Sequence, residues 1–180
     1  VMKSLDFLGG ATWFQLGDKD LGTHLFRTNR LSEGGSLTEV TAEIACKFGI
    51  EVKLLPMSDS KISTFVTLAE SGEEISFQEY FVKLKHAVAV ESVRFEGSQQ
   101  AKPGPDVIES IHQAEKIVIA PSNPIVSIGP ILSISEINSA IKSRRESTVA
   151  ISPIINGLAL KGPADRMMSE LGHEPSVLGI

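Results

Sequence analysis

The chain has 180 residues, 42% of them hydrophobic and 22% charged, with a formal net charge of -5. That is enough apolar chain for one compact domain with its own core, and it excludes disordered and collagen-like chains. The acidic balance excludes a broad nucleic-acid footprint, which needs clustered Lys and Arg, but leaves room for local basic groups that hold a small anion.

Cys46 is the only cysteine, so there is no disulfide framework and no cysteine-rich zinc site, and a reducing cytoplasm fits. No apolar run approaches the roughly 18 residues needed to cross a bilayer, and no signal-peptide pattern opens the chain. A soluble protein that spans no membrane is expected.

Gly17-Asp18-Lys19-Asp20 precedes a predicted helix containing Leu21, Leu25 and Phe26. Asp20 suits a helix N-cap and acidic residues suit a first turn. Alternatively, Lys19 held between two carboxylates is a fixed donor to a ligand, with Trp13 and Phe14 just upstream to stack on a ring or to fill the core. Ser36-Leu37-Thr38-Glu39 is a capping box, and Leu37, Val40, Ile44 and Phe48 recur at helical spacing, so a helix is predicted over 36–48 with Gly49 as its left-handed stop.

Residues 51–55 read as a strand ended by Pro56. Leu55-Pro56-Met57-Ser58-Asp59 therefore sits at a strand end, where Asp59 orients a hydroxyl or holds a divalent cation, or forms an Asx turn into the next strand. Residues 62–68 and 75–82 read as a hairpin about Ser71-Gly72, and 88–95 as a further strand.

Beyond residue 104 strands alternate with helices. A helix over 105–114 precedes a uniformly apolar strand over 116–120, the kind buried on both faces of a parallel sheet. A helix capped by Ser135 runs to about Arg145, then come a strand over 148–152 and a helix over 163–171. Such alternation implies βαβ crossovers and an α/β fold with a parallel sheet. The chain closes on Ser176-Val177-Leu178-Gly179-Ile180, which reads as a strand stopped mid-course. It also opens without the strand and Gly-rich turn that usually begin a doubly wound domain. One incomplete domain over 1–180 is the resulting expectation.

The strongest candidate for chemistry is the loop 120–130. It follows a buried strand, where ligands of open α/β sheets bind. Ser122, Asn123 and Ser127 offer small polar groups, and Gly129 allows close backbone approach, which together suit a phosphate. The plainer alternative is a rigid loop joining two elements. Lys161 and Arg166 flank the start of the last helix and await an anion, or are neutralised by Asp165. The four histidines, His24, His86, His112 and His173, show no metal-ligand spacing. Arg144-Arg145 complements a helix C-terminus.

Several strings, in this order, resemble the 2-phospho-L-lactate transferase family, whose bacterial members are phosphoenolpyruvate transferases. They are residues 13–20 (Trp-Phe-Gln-Leu-Gly-Asp-Lys-Asp), 55–59, 77–81 (Phe-Gln-Glu-Tyr-Phe), 93–97, 120–131, 152–155 and 161–167. The resemblance implies a Rossmann-like, mostly parallel sheet with flanking helices and an inserted β-hairpin. It implies a Mg²⁺-dependent transfer of a phosphoenolpyruvyl or phospholactyl group from its guanosine diphosphate adduct to the deazaflavin FO, with release of GMP, by a homodimer. Carried over to this chain, Asp18, Lys19, Asp20, Met57 and Ser58 face FO, Asp59 is catalytic, and Ser122, Asn123, Ser127 and Gly129 hold nucleotide or donor phosphates. The metal ligands are unassigned. The alternative within the same superfamily is a nucleotide-binding regulatory protein without transferase activity.

Overall fold

The computed structural model describes residues 2–179. It opens with three helices, α1 (Met2–Phe7), α2 (Asp18–Ser32) and α3 (Leu37–Lys47). The capping box of α3 forms as its spacing requires. Ser36 Oγ accepts from the Glu39 amide at 3.2 Å while Glu39 Oε2 accepts from the Ser36 amide at 2.9 Å, and Gly49 takes the left-handed stop at φ +66°. Replacing Ser36 with Ala is expected to lower unfolding stability by about 1 kcal/mol, read from the urea midpoint at unchanged slope.

Helix α2 packs on α3 through the Arg30–Glu43 ion pair at 2.9 Å. Its N-cap is Gly17, with no side-chain cap. Asp20 is therefore a first-turn residue rather than the cap expected of it. The predicted strand over 51–55 does not form; the segment has no ladder partner, and Val52 is 67% exposed.

A three-stranded antiparallel sheet follows, in the order β2-β1-β3, made of β1 (Ser63–Leu68), β2 (Glu74–Ser76) and β3 (Val90–Glu96). The hairpin is present, with Phe65 opposite Ser76 and Thr67 opposite Glu74. Its return strand is shorter than the 75–82 expected because Ser76 Oγ accepts from the Glu79 amide at 3.2 Å. That bond starts a π-helical turn, Glu79–Lys83. On the exposed face Arg94 reaches across β1 to grip Glu74 with two bonds, at 2.7 and 3.0 Å.

The second half contains α4 (Val107–Gln113), β4 (Ile117–Ile119), a π-helical turn (Pro124–Ile128), α5 (Gly129–Leu132), α6 (Ser135–Ser143), β5 (Thr148–Ala150), a short antiparallel pair β6 (Ile154–Ile155) and β7 (Leu158–Ala159), and α7 (Ala164–Glu170). Strands β4 and β5 pair in parallel across the α5–α6 crossover, with Val118 opposite Val149. This is the βαβ alternation read from the sequence, and among the described residues parallel pairing is confined to these two strands. The molecule is thus a mixed α/β fold with small sheets. The pair is not covered on both faces as expected: Val118 is 61% and Val149 57% exposed. Ser135 is the first residue of α6 and does not cap it. Residues 176–179 form no strand.

Three apolar clusters hold these parts together. Val66, Leu68, Tyr80, Val90 and Met167 join the antiparallel sheet to α7. Ala101, Val107, Ile134 and Ile137 join α4 to α6, with Leu55 and Met57 against them. Ile154, Ala164 and Met168 seat α7 on the β6–β7 pair. No single helix among the described residues is long and apolar enough to cross a membrane.

Candidate functional site

Strand β4 ends at Ile119, and the chain then turns through Pro121, Ser122 and Asn123 into the π-helical turn. This turn forms one wall of a cavity of about 730 Å³. Phe77 and Phe81 supply a second wall, and the segment between β7 and α7 supplies Leu160, Lys161, Gly162 and Pro163. Ser122, Asn123 and Ser127, three of the residues expected at a phosphate, all line it.

Asn123 owes its place to the backbone. Its Oδ1 accepts from the amides of Ile125 at 2.9 Å and Val126 at 3.2 Å. That fixes the turn and leaves only Nδ2, which lies 3.7 Å from Met167 Sδ, to offer a ligand. The plain reading of the loop, a rigid turn fixed by its own side chain, therefore holds for this residue. Gly129 stands behind the wall. A Cβ there would come within 2.9 Å of the Phe95 ring, so its small size serves packing.

The two cations near α7 divide their work. Arg166 turns into the protein, where it donates to the Tyr80 hydroxyl at 3.1 Å and to the His86 carbonyl, and its Nε lies 3.1 Å from Glu170 Oε1. Glu170 Oε2 in turn accepts from the Val90 amide at 3.0 Å. Arg166 is thus committed to tying α7 to the sheet and to the fully buried Tyr80, whose phenol burial pushes up. Lys161 lines the cavity and makes no side-chain hydrogen bond or ion pair among the described residues. Among the described residues Asp165 forms no ion pair with either cation.

The other expected residues lie elsewhere. Asp59 Oδ1 accepts from the Thr38 amide at 2.7 Å and the Thr38 hydroxyl at 2.8 Å, so the carboxylate sits at the start of α3, where the helix dipole favours it. Ser58 is buried and donates to the Lys102 carbonyl at 2.5 Å while accepting from the Ser60 amide. Met57 packs on the α4–α6 cluster. Asp18, Lys19 and Asp20 occupy the exposed first turn of α2. None of these six lines the cavity.

Phe77 and Phe81 received no role from the sequence. Their signal is there in Phe-Gln-Glu-Tyr-Phe, because aromatic residues four apart on a helical turn share a face. Their rings lie 5.3 Å apart, tilted by 32°, and the His86 ring sits 5.2 Å behind Phe81.

A comparable depression, of about 780 Å³, lies between α4 and α6. Asp106, Glu109 and Glu136 line it. Lys53 already pairs with Asp106 at 2.6 Å, and the Ser135 hydroxyl holds the Glu136 carboxyl below the usual carboxylate range. The three carboxylates of this depression outnumber the one lysine of its lining, Lys102, which disfavours an anionic ligand, whereas the 730 Å³ cavity has no acidic side chain in its lining and one free lysine.

The sequence profile of the family described as 2-phospho-L-lactate transferase CofD matches residues 8–179. The chain belongs to the 2-phospho-L-lactate transferase family. It is 40% identical over 173 residues to a phosphoenolpyruvate transferase of Streptomyces griseus, covering 95% of this chain and 54% of that protein. With a phosphoenolpyruvate transferase of Kitasatospora aureofaciens it shares 42% identity over 167 residues, covering 92% and 52%. Against a 2-phospho-L-lactate transferase of Methanosarcina mazei it is 38% identical over 173 residues, covering 96% and 56%. The chain spans about half the length of the curated relatives it matches. Among solved structures, a UPF0052-family protein of Bacillus halodurans superposes with a TM-score of 0.55 at 25% identity, over 68% of this chain and 38% of that one. A second structure of protein BH3568 from that organism gives 0.59 at 24% identity, over 76% and 44%, which supports the fold alone.

Proposed function

We propose that this member of the 2-phospho-L-lactate transferase family works in the transfer of a phosphoenolpyruvyl or phospholactyl group from its guanosine diphosphate adduct to FO. The observation that carries the reading is the cavity at the end of β4, where Ser122, Asn123, Ser127 and the unpaired Lys161 converge without an opposing carboxylate. In the reaction the terminal ribityl hydroxyl of FO attacks the phosphorus that bears the three-carbon acid. A new P–O bond forms to FO, the bond to the bridging oxygen breaks, GMP leaves, and the hydroxyl proton passes to solvent. Such chemistry asks for in-line positioning and for donors that meet the charge on the phosphoryl oxygens.

The hydroxyls of Ser122 and Ser127 and the ammonium of Lys161 are suited to that charge, with Asn123 holding their loop in shape. In this reading β4 and β5 are the parallel nucleus of a Rossmann-like sheet. Asp59 and the first turn of α2 lie outside the cavity, so no step is assigned to Asp59, Asp18, Lys19 or Asp20. Mg²⁺ fits the cavity poorly as a protein-held ion. No lining residue is a carboxylate, and among the described residues no three His, Cys, Asp or Glu side chains gather to hold a metal. Mg²⁺ would arrive with the donor's phosphates rather than be held by the protein. A cytoplasmic homodimer belongs to the same reading.

The test mixes the chain with FO, each guanosine-linked donor in turn, and Mg²⁺. GMP release matched by FO carrying the three-carbon acid through a phosphodiester is the expected result. GDP binding without GMP release from either donor would favour the regulatory alternative and sink the transferase reading.

A further inference from the structure

The corner between the π-helical turn of Glu79–Lys83 and β3 follows a backbone path that its residues would not choose alone. Lys85 at φ +50° and His86 at φ +44° both lie in the left-handed region, which is strained for residues that carry a side chain. Other parts of the chain hold them there. The His86 amide donates to the Tyr80 carbonyl at 2.9 Å. The His86 carbonyl accepts from Arg166 Nη2, the same nitrogen that donates to the Tyr80 hydroxyl, and Glu170 steadies the guanidinium at Nε, 3.1 Å away. Strain held from outside a segment is kept for what the segment presents, here the His86 ring.

That ring ends a row of three. His86 lies 5.2 Å from Phe81, tilted by 40°, and Phe81 lies 5.3 Å from Phe77, tilted by 32°. Phe77 is anchored on the buried sheet cluster, to which Phe81 does not belong. Phe81 is 38% exposed and stands beside the corner that carries Lys161, since a Cβ at Gly162 would lie 4.0 Å from its ring. Phe81 lines the cavity and His86 does not. Aromatic rings at such separations attract through dispersion and the ring quadrupole.

We propose that His86 is a positioning residue, whose ring, held in place by Arg166, braces Phe81 and thereby fixes the cavity wall beside Lys161. This rests on the transferase reading and deepens it. The place of Phe81 limits how far the Lys161 ammonium and the donor's phosphates can drift from the in-line arrangement. His86→Gly separates bracing from stability. Glycine adopts a left-handed φ without strain, so the variant keeps the corner and its carbonyl bond to Arg166 and loses only the ring.

The experiment records NMR signals of the Phe81 ring in the 180-residue chain labelled at phenylalanine, with Phe81→Leu supplying the assignment. On the same samples it follows GMP release from each guanosine-linked donor with FO and Mg²⁺, and thermal unfolding. In His86→Gly the Phe81 signals should shift and the unfolding midpoint should be retained. The donor KM is expected to rise about five-fold, the scale on which one aromatic contact holds a ring in place, with kcat within about two-fold of wild type. His86→Phe, which restores a ring, should return KM to near the wild-type value. Unshifted Phe81 signals in His86→Gly overturn the brace, and shifted signals with unchanged KM overturn its positioning role. An equal rise of KM in His86→Gly and His86→Phe overturns it too, because the ring is then not what matters. A wild-type chain that releases no GMP refutes the transferase reading and the positioning role with it, whatever the Phe81 signals show.

Discussion

Lys161→Ala is expected to lower kcat/KM for the guanosine-linked donor by about thirty-fold while leaving the unfolding midpoint unchanged. The side chain lines the cavity without a partner among the described residues, so removing it breaks no internal bond. A charge-assisted hydrogen bond to a phosphate oxygen contributes about 2 kcal/mol, and that converts to the rate loss quoted. Lys161→Arg should recover most of it, because a cation of either shape meets a phosphate. Arg166→Ala makes the contrast. Its guanidinium holds Tyr80, His86 and Glu170 together, so the variant should unfold more easily. Kinetics of GMP release alongside thermal unfolding separate the two. A Lys161→Ala enzyme with wild-type kcat/KM would remove the anion from this cavity.

The sequence was most legible where a local rule acted alone. The capping box of α3 needs only Ser36, Glu39 and the backbone between them, and it formed as read. The β4–crossover–β5 unit was legible for the same reason, since short apolar runs separated by a helical pattern admit few topologies. What failed depended on partners far away in the chain. Residues 51–55 have the composition of a strand but meet no neighbour to share a ladder, and unpaired backbone takes its hydrogen bonds elsewhere. Arg144, expected to complement its own helix, instead donates to the carbonyls of Ile111, His112 and Ala114 at the end of α4. For Asp59 the sequence offers a strand-end carboxylate for a hydroxyl or cation, or an Asx turn, and neither anticipates Thr38, 21 positions earlier, which donates to one of its oxygens. The cavity was legible in its polar half, because Ser and Asn after a buried strand are a local signal. Its aromatic half was hidden behind an expected strand over 75–82, in which Phe77 and Phe81 share a face but stand about 13 Å apart; the helical turn over 77–83 closes their rings to 5.3 Å instead.

Met167 links that cavity to the core, and Met167→Ala should produce the largest loss of stability. Its side chain is fully buried among Val66, Leu68, Tyr80 and Val90. Truncating such a residue costs about 2–5 kcal/mol, the upper part of the range applying where neighbours cannot collapse into the void. Here two of those neighbours are held by a hydrogen-bonded sheet, with Val66 opposite Val93 and Leu68 opposite Val90. Tyr80 is pinned by Arg166. About 4 kcal/mol is therefore expected from urea unfolding. Because Met167 Sδ also lies under the Asn123 amide, the same variant should raise the donor KM, as Asn123 loses its floor and the turn carrying Ser122 and Ser127 loosens. Met167→Leu keeps the volume and should cost less than about 1.5 kcal/mol, with KM close to wild type, since a thioether is too weak an acceptor for its loss to matter. If alanine at 167 costs under about 1 kcal/mol, the sheet and α7 do not share one rigid core, and the wall of the cavity is not held from behind.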